Sequence, residues 1–102
     1  MDVIVTNASE RRRYEARVGD ELAAVAEYIP TDEFLAFTHT EVLGAFEGQG
    51  VASTLVRGAL DDVRAQHRTV LPVCPFATSF IRRHHDEYAD LLYRSRTGTI
   101  LD

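Results

Sequence analysis

Apolar and polar residues alternate from Arg13 to Val18, with Tyr14, Ala16 and Val18 on one side and Arg13, Glu15 and Arg17 on the other. A period of two predicts a strand that buries one face and shows the other to water. Residues 3–6 form a shorter β-prone run, while residues 22–29 and 34–42 are longer and more apolar, which suits the central strands of a sheet. The clusters Asn7-Ala8-Ser9, Gly19-Asp20 and Pro30-Thr31-Asp32 punctuate these runs as turns. Four antiparallel strands in a meander are the simplest arrangement. After Gly44 the period changes: Val51, Ala52, Leu55, Val56, Ala59, Leu60 and Val63 recur every three or four residues, predicting an amphipathic helix to about His67. Gly58 costs a helix interior about 1 kcal/mol relative to alanine, but it sits among polar residues and leaves the stripe intact. A fifth strand is predicted over residues 69–73. Pro75 then opens a second helix to about His84, with Phe76, Ala77, Phe80 and Ile81 on one face, and a short turn of helix follows around residues 86–91. The order β-β-β-β-α-β-α is that of an α+β fold, a mixed, mostly antiparallel sheet with helices packed on it.

Composition narrows the function without naming it. With 102 residues, 45% hydrophobic and 26% charged, the chain has the size and make-up of one globular domain over residues 1–102. No apolar stretch approaches the roughly 20 residues of a membrane span, and no cationic region precedes the apolar residues of the N-terminus, so neither insertion nor export is expected. A single cysteine, Cys74, rules out an internal disulfide and suits a reducing cytoplasm. The formal net charge of -5 disfavours nucleic acid and anionic membrane as partners, because attraction to both comes from clustered positive charge. All eleven cations are arginine, so the chain holds no lysine for Schiff-base or general-base chemistry, and none to accept an acyl group itself.

The chemistry concentrates between the fourth strand and the first helix, in Val42-Leu43-Gly44-Ala45-Phe46-Glu47-Gly48-Gln49-Gly50-Val51-Ala52. Three glycines let backbone amides converge on one point beside a helix N-terminus, which carries roughly half a positive charge; a phosphate fits there. The alternative is a glycine turn that only reverses the chain. The spacing matches neither the Walker A loop, since no lysine follows, nor the dinucleotide fingerprint, since no βαβ unit precedes it. His39 and Glu41, two apart on a strand, share a face and read either as a general base with its neighbour or as a surface pair. Cys74, just ahead of a helix, reads either as a nucleophile favoured by the helix dipole or as a small residue lining a pocket. His84, His85, Asp86 and Glu87 do not converge as metal ligands on a helix, so no metal is expected. Arg82 and Arg83 suit a helix C-terminus.

The run from Val42 to Ala52 resembles motif A of the GNAT acyltransferase superfamily, V-x-P-x-[YF]-R-G-x-G-[IV]-[GA], with Val42, Phe46, Gly48, Gly50, Val51 and Ala52 matching. His39-Thr40-Glu41-Val42 and Pro72-Val73-Cys74-Pro75-Phe76 resemble flanking signatures of a short, stand-alone GNAT-like branch, and the likeness extends from about Tyr14 to Leu92. Gly44 replaces the usual proline, and Glu47 stands where arginine or glutamine is common. The resemblance implies an N-acetyltransferase that carries acetyl from acetyl-CoA to a primary amine. It implies pyrophosphate on Glu47, Gly48, Gln49, Gly50, Val51 and Ala52, backbone contacts from Val42 and Leu43 to the pantetheine and acetyl carbonyl, and a thioester between the splayed fourth and fifth strands facing Glu41, His39 and Cys74. It also implies an open acceptor side, because the two helices that wall it in longer members have no counterpart between the first strands; a homodimer would be one way to close it. The alternative, supported by Glu47, is a CoA-binding or partner-binding module of the same fold with weak or no catalysis.

Overall fold

The computed structural model describes residues 2–95, 98 and 99. Five strands, β1 (Ile4–Ala8), β2 (Arg13–Val18), β3 (Glu21–Pro30), β4 (Phe34–Val42) and β5 (Thr69–Pro72), lie in the sheet order β1-β2-β3-β4-β5. The first four pair antiparallel in succession, and β5 joins parallel to β4 after the crossover through α1 (Val51–Ala65). Then come α2 (Pro75–Arg83), α3 (His85–Tyr88) and a two-stranded hairpin, β6 (Arg94–Ser95) with β7 (Gly98–Thr99). The predicted α+β architecture stands. The hairpin carries no signal in the sequence pattern, since two-residue strands have no periodicity to read.

Period decides which face each element buries. Val51, Leu55, Val56, Ala59, Leu60 and Val63 put α1 on the sheet, where it meets Ala16, Ala24 and Ala26 and the ring cluster of Tyr14, Tyr28 and Phe37, with centroids 5.4 to 6.0 Å apart. Small residues on the strands under a broad helix let the two layers approach closely. Tyr14 reaches through to α1 and donates a hydrogen bond to Asp62 Oδ2 at 2.6 Å. Beside α1 lie α2 and α3. Arg57 stacks over the rings of Phe80 and Tyr88, 5.5 and 5.7 Å from their centroids, and pairs with Glu87 at 2.8 Å.

Gly58 differs from its sequence reading. A Cβ at this position would come within 3.0 Å of three atoms of Val5, so glycine is what lets α1 lie against β1. Other differences are at element ends: Asn7 and Ala8 close β1 rather than opening a turn, and α1 stops at Ala65, with His67 in the left-handed region at φ 57°.

The opposite face of the sheet carries no helix among the described elements. Register places Arg13, Glu27 and His39 side by side across β2, β3 and β4, with Glu15, Val25 and Glu41 in the next row. Glu15 lies at the centre, only 3% exposed, under Arg13 at 2.8 Å, Arg17 at 3.3 Å and Arg11 at 3.5 Å. Arg11 and Arg13, from the run Arg11-Arg12-Arg13, thus join Arg17 in capping a buried carboxylate.

Candidate active site

The strands β4 and β5 pair from Phe34 with Thr69 to Phe37 with Pro72, and there they part. The carbonyl of Phe37 accepts the last two bonds, from Val73 and Cys74 N–H, both at 2.9 Å. Beyond it β4 runs on to Val42 while the other chain turns into α2, which leaves a gap open at the C-terminal ends of both strands. Leu43 and Val73 are exposed apolar side chains at its two lips.

A bulge sets which groups face this gap. Tyr28 pairs with Phe37 but Glu27 pairs with His39, so Thr38 is the extra residue of β4. An extra residue exchanges the faces of everything that follows it. Phe37 and then Thr40 and Val42 point to the helix side, whereas His39 and Glu41 point to the helix-free side, paired Nε2 to Oε1 at 3.5 Å and each about half exposed, at 55% and 56%. Leu43 N–H is held by Ala23 O at 2.9 Å, so strand alternation turns the N–H and C=O of Val42 toward the gap. The Leu43 carbonyl accepts from Phe46 N–H at 2.8 Å, so both backbone groups of Leu43 already have a partner within the protein.

The glycine loop follows directly. Gly44–Phe46 forms one turn of 3-10 helix, and Phe46 and Glu47 donate their N–H groups back into it. From Gly48 the pattern stops: although the chain turns over residues 47–50, no well-formed hydrogen bond runs from the N–H groups of Gly48, Gln49, Gly50, Val51, Ala52 and Ser53 to a protein acceptor among the described residues, the next being Thr54 N–H to Gly50 O. Gly48 and Gly50 hold φ of 78° and 75°, in the left-handed region that favours glycine, and a Cβ on either would project into open space. These six donors gather at the positive end of a 15-residue helix, an arrangement of the kind that suits an anion. Glu47 is exposed at its edge with no ion pair among the described residues.

Cys74 lies across the gap from β4, on the helix side, and is 4% exposed. It caps α2: its Sγ accepts the N–H of Ala77 at 3.4 Å, and Pro75 takes the first helical position, where no N–H is needed. Thr40 Oγ1 touches the same Sγ at 3.4 Å. Sequence reasoning passed over Thr40, whose role depends on the bulge. Cys74 and Glu41 therefore stand on opposite faces of β4. Arg82, Arg83, His84 and His85 are gathered at the far end of α2, where His84 stacks on Phe80 at 4.4 Å and approaches Glu87 at 3.6 Å, away from the gap.

A sequence model described as GCN5-related N-acetyl-transferase matches residues 13–91, from the start of β2 to the turn after α3. The chain belongs to this family. No curated protein sequence matches it significantly. Membership in the GCN5-related N-acetyltransferases carries acetyl transfer as the general function, and acetyl-CoA is the co-substrate typical of the family. The matched span contains the gap, the glycine loop and both helices that flank them, and leaves out β1. No helix among the described residues is long and apolar enough to cross a membrane.

Proposed function

We propose that the protein is an N-acetyltransferase that binds acetyl-CoA along the gap between β4 and β5 and acetylates a primary amine arriving from the helix-free face. The observation that carries this reading is the row of N–H groups from Gly48 to Ser53 without a well-formed hydrogen bond, in a fold of the family that typically uses this cofactor. Those donors fit a diphosphate, and both left-handed glycines leave room for it. Bound acetyl-CoA supplies an activated acyl carbon.

The chain's own residues have separate tasks. Residues 48–52 hold the diphosphate through fixed N–H donors. The Val42 N–H, turned into the gap, orients the acyl carbonyl and stabilises negative charge that develops there, an effect worth about 3 to 4 kcal/mol per donor in other acyl transfers. Glu41 accepts the amine proton, with His39 fixing its carboxylate. Cys74 lines the gap and caps α2; its near-complete burial in apolar surroundings supports direct transfer rather than a covalent route. A cationic acceptor suits the net charge of -5 and the acidic Glu27 and Glu41 on the open face. Residues 1–102 act as one catalytic domain in this reading, in a reducing, cytoplasmic setting that keeps Cys74 free.

Titration of isotope-labelled protein with CoA tests the binding half. The amide resonances of residues 48–52 are expected to shift first and furthest; shifts confined to another surface overturn the reading. Acetyl release to polyamines and peptide N-termini tests the other half. CoA binding without acetyl release to any amine leaves the non-catalytic module.

A further inference from the structure

Resting on the acyl-CoA reading above, we infer that Thr40 and Cys74 form the floor of the acyl pocket and hold the protein to short acyl groups, acetyl before propionyl and butyryl. With the diphosphate on residues 48–52 at the mouth of the gap, the far end of the ligand is the acyl thioester, and it is the part that runs deepest toward the strand junction. What it meets there is one side-chain bridge. Thr40 lies three residues past Phe37 on β4 and Cys74 two residues past Pro72, and their 3.4 Å contact is the one side-chain hydrogen-bond contact across the gap among the described residues.

Both partners of the bridge are held from behind. Cys74 is tied by its own N–H to Phe37 O and by the Ala77 N–H on its sulfur, and it is almost fully buried. Thr40 stands opposite Ala26 in a strand paired on its other side, turned to this face by the bulge at Thr38. A bridge anchored on two elements cannot retreat from a longer acyl chain as a loop side chain would. Each further methylene on the ligand therefore meets filled space, and discrimination of about 10- to 200-fold per methylene is what such a wall supplies.

Titration calorimetry with CoA, acetyl-CoA, propionyl-CoA and butyryl-CoA tests this without relying on turnover. The wild-type protein is expected to bind butyryl-CoA at least about tenfold more weakly than acetyl-CoA. Thr40→Ala is expected to close that difference about tenfold while its affinity for CoA, which has no acyl group, stays within about twofold. Thr40→Val, which keeps the volume and drops the hydroxyl, is expected to keep the wild-type ratio, and Cys74→Ala to move the ratio as Thr40→Ala does. Thr40→Leu is expected to bind CoA and lose acetyl-CoA, a result that a merely structural role does not produce. An unchanged acyl ratio in Thr40→Ala and Cys74→Ala with CoA still bound overturns the floor and leaves the CoA reading standing; a wild-type protein that binds no CoA removes both.

Discussion

Glu15 illustrates how a single residue is held. Burial alone raises a carboxyl pKa, but the hydrogen bonds and charges of Arg13, Arg17 and Arg11 outweigh it and hold Glu15 below its ordinary value of 4.5. A depressed value means stability that is fully present above 4.5 and lost as the pH falls through the lower folded value. Glu15→Gln leaves three arginines facing one another and is expected to cost about 1 to 3 kcal/mol at neutral pH, toward the lower figure because the arginines are partly solvated. Urea unfolding at neutral and strongly acid pH checks the sign, since the gap between variant and wild type should close in acid. Cys74 gives a second prediction at this scale. Serine keeps a helix-capping oxygen and removes the thiol, so Cys74→Ser is expected to retain stability and most of kcat, whereas Cys74→Ala loses about 1 kcal/mol of stability with the cap. Total loss of acetyl transfer in Cys74→Ser, with CoA still bound, would restore a covalent cysteine.

At the scale of elements, α1 and the loop before it bear the most constraint. Replacing a helical glycine with alanine ordinarily stabilises by about 1 kcal/mol. At Gly58 the expected sign is reversed, because the new Cβ meets Val5 Cβ itself at 3.0 Å and no side-chain rotation moves that atom away. A lower melting temperature for Gly58→Ala checks this, and a higher one would show that β1 gives way. Gly50→Ala has free space but must hold a φ of 75°, a conformation costing an L-residue about 1 to 2 kcal/mol, so the loop should rearrange and CoA affinity fall about tenfold with little change in helix content. The tie between α1 and α3 adds an alkaline limit. Burial first, then Asp61, which accepts the Tyr88 hydroxyl at 2.8 Å, pushes Tyr88 up to about 12. A raised value places this stability below pH 10 and removes it as pH climbs toward 12, and Tyr88→Phe should flatten that part of the unfolding profile.

The molecule as a whole is a sheet with two unequal faces. One is sealed by α1 and α2, and the other carries the arginines around the buried Glu15, with Val25 beside it, and continues to Glu27, His39 and Glu41. This asymmetry assigns the two ligands of the proposed reaction to different approaches, the CoA along the strand ends and the amine across the open face. Attraction of a cationic amine to such a surface is screened by salt, so the KM for a polyamine should rise with ionic strength while kcat holds. A KM independent of salt would place the acceptor away from these carboxylates.

Periodicity in the sequence was enough for the strands, the long helix and their order, because burying one face of an element needs only local spacing, and the glycines before α1 read from their spacing as either an anion cradle or a plain turn. Which side of β4 each candidate residue faces was not legible. Thr38 looks like any strand residue until β3 pairs across it, and that pairing alone sends His39 and Glu41 to the open face and leaves Thr40 against Cys74. Ala23 holds the Leu43 N–H, and Val5 gives Gly58 its reason, through contacts 20 and 53 residues apart in the chain. Such contacts come from register and layer packing, which depend on all the strands at once, so only the assembled tertiary structure decides them.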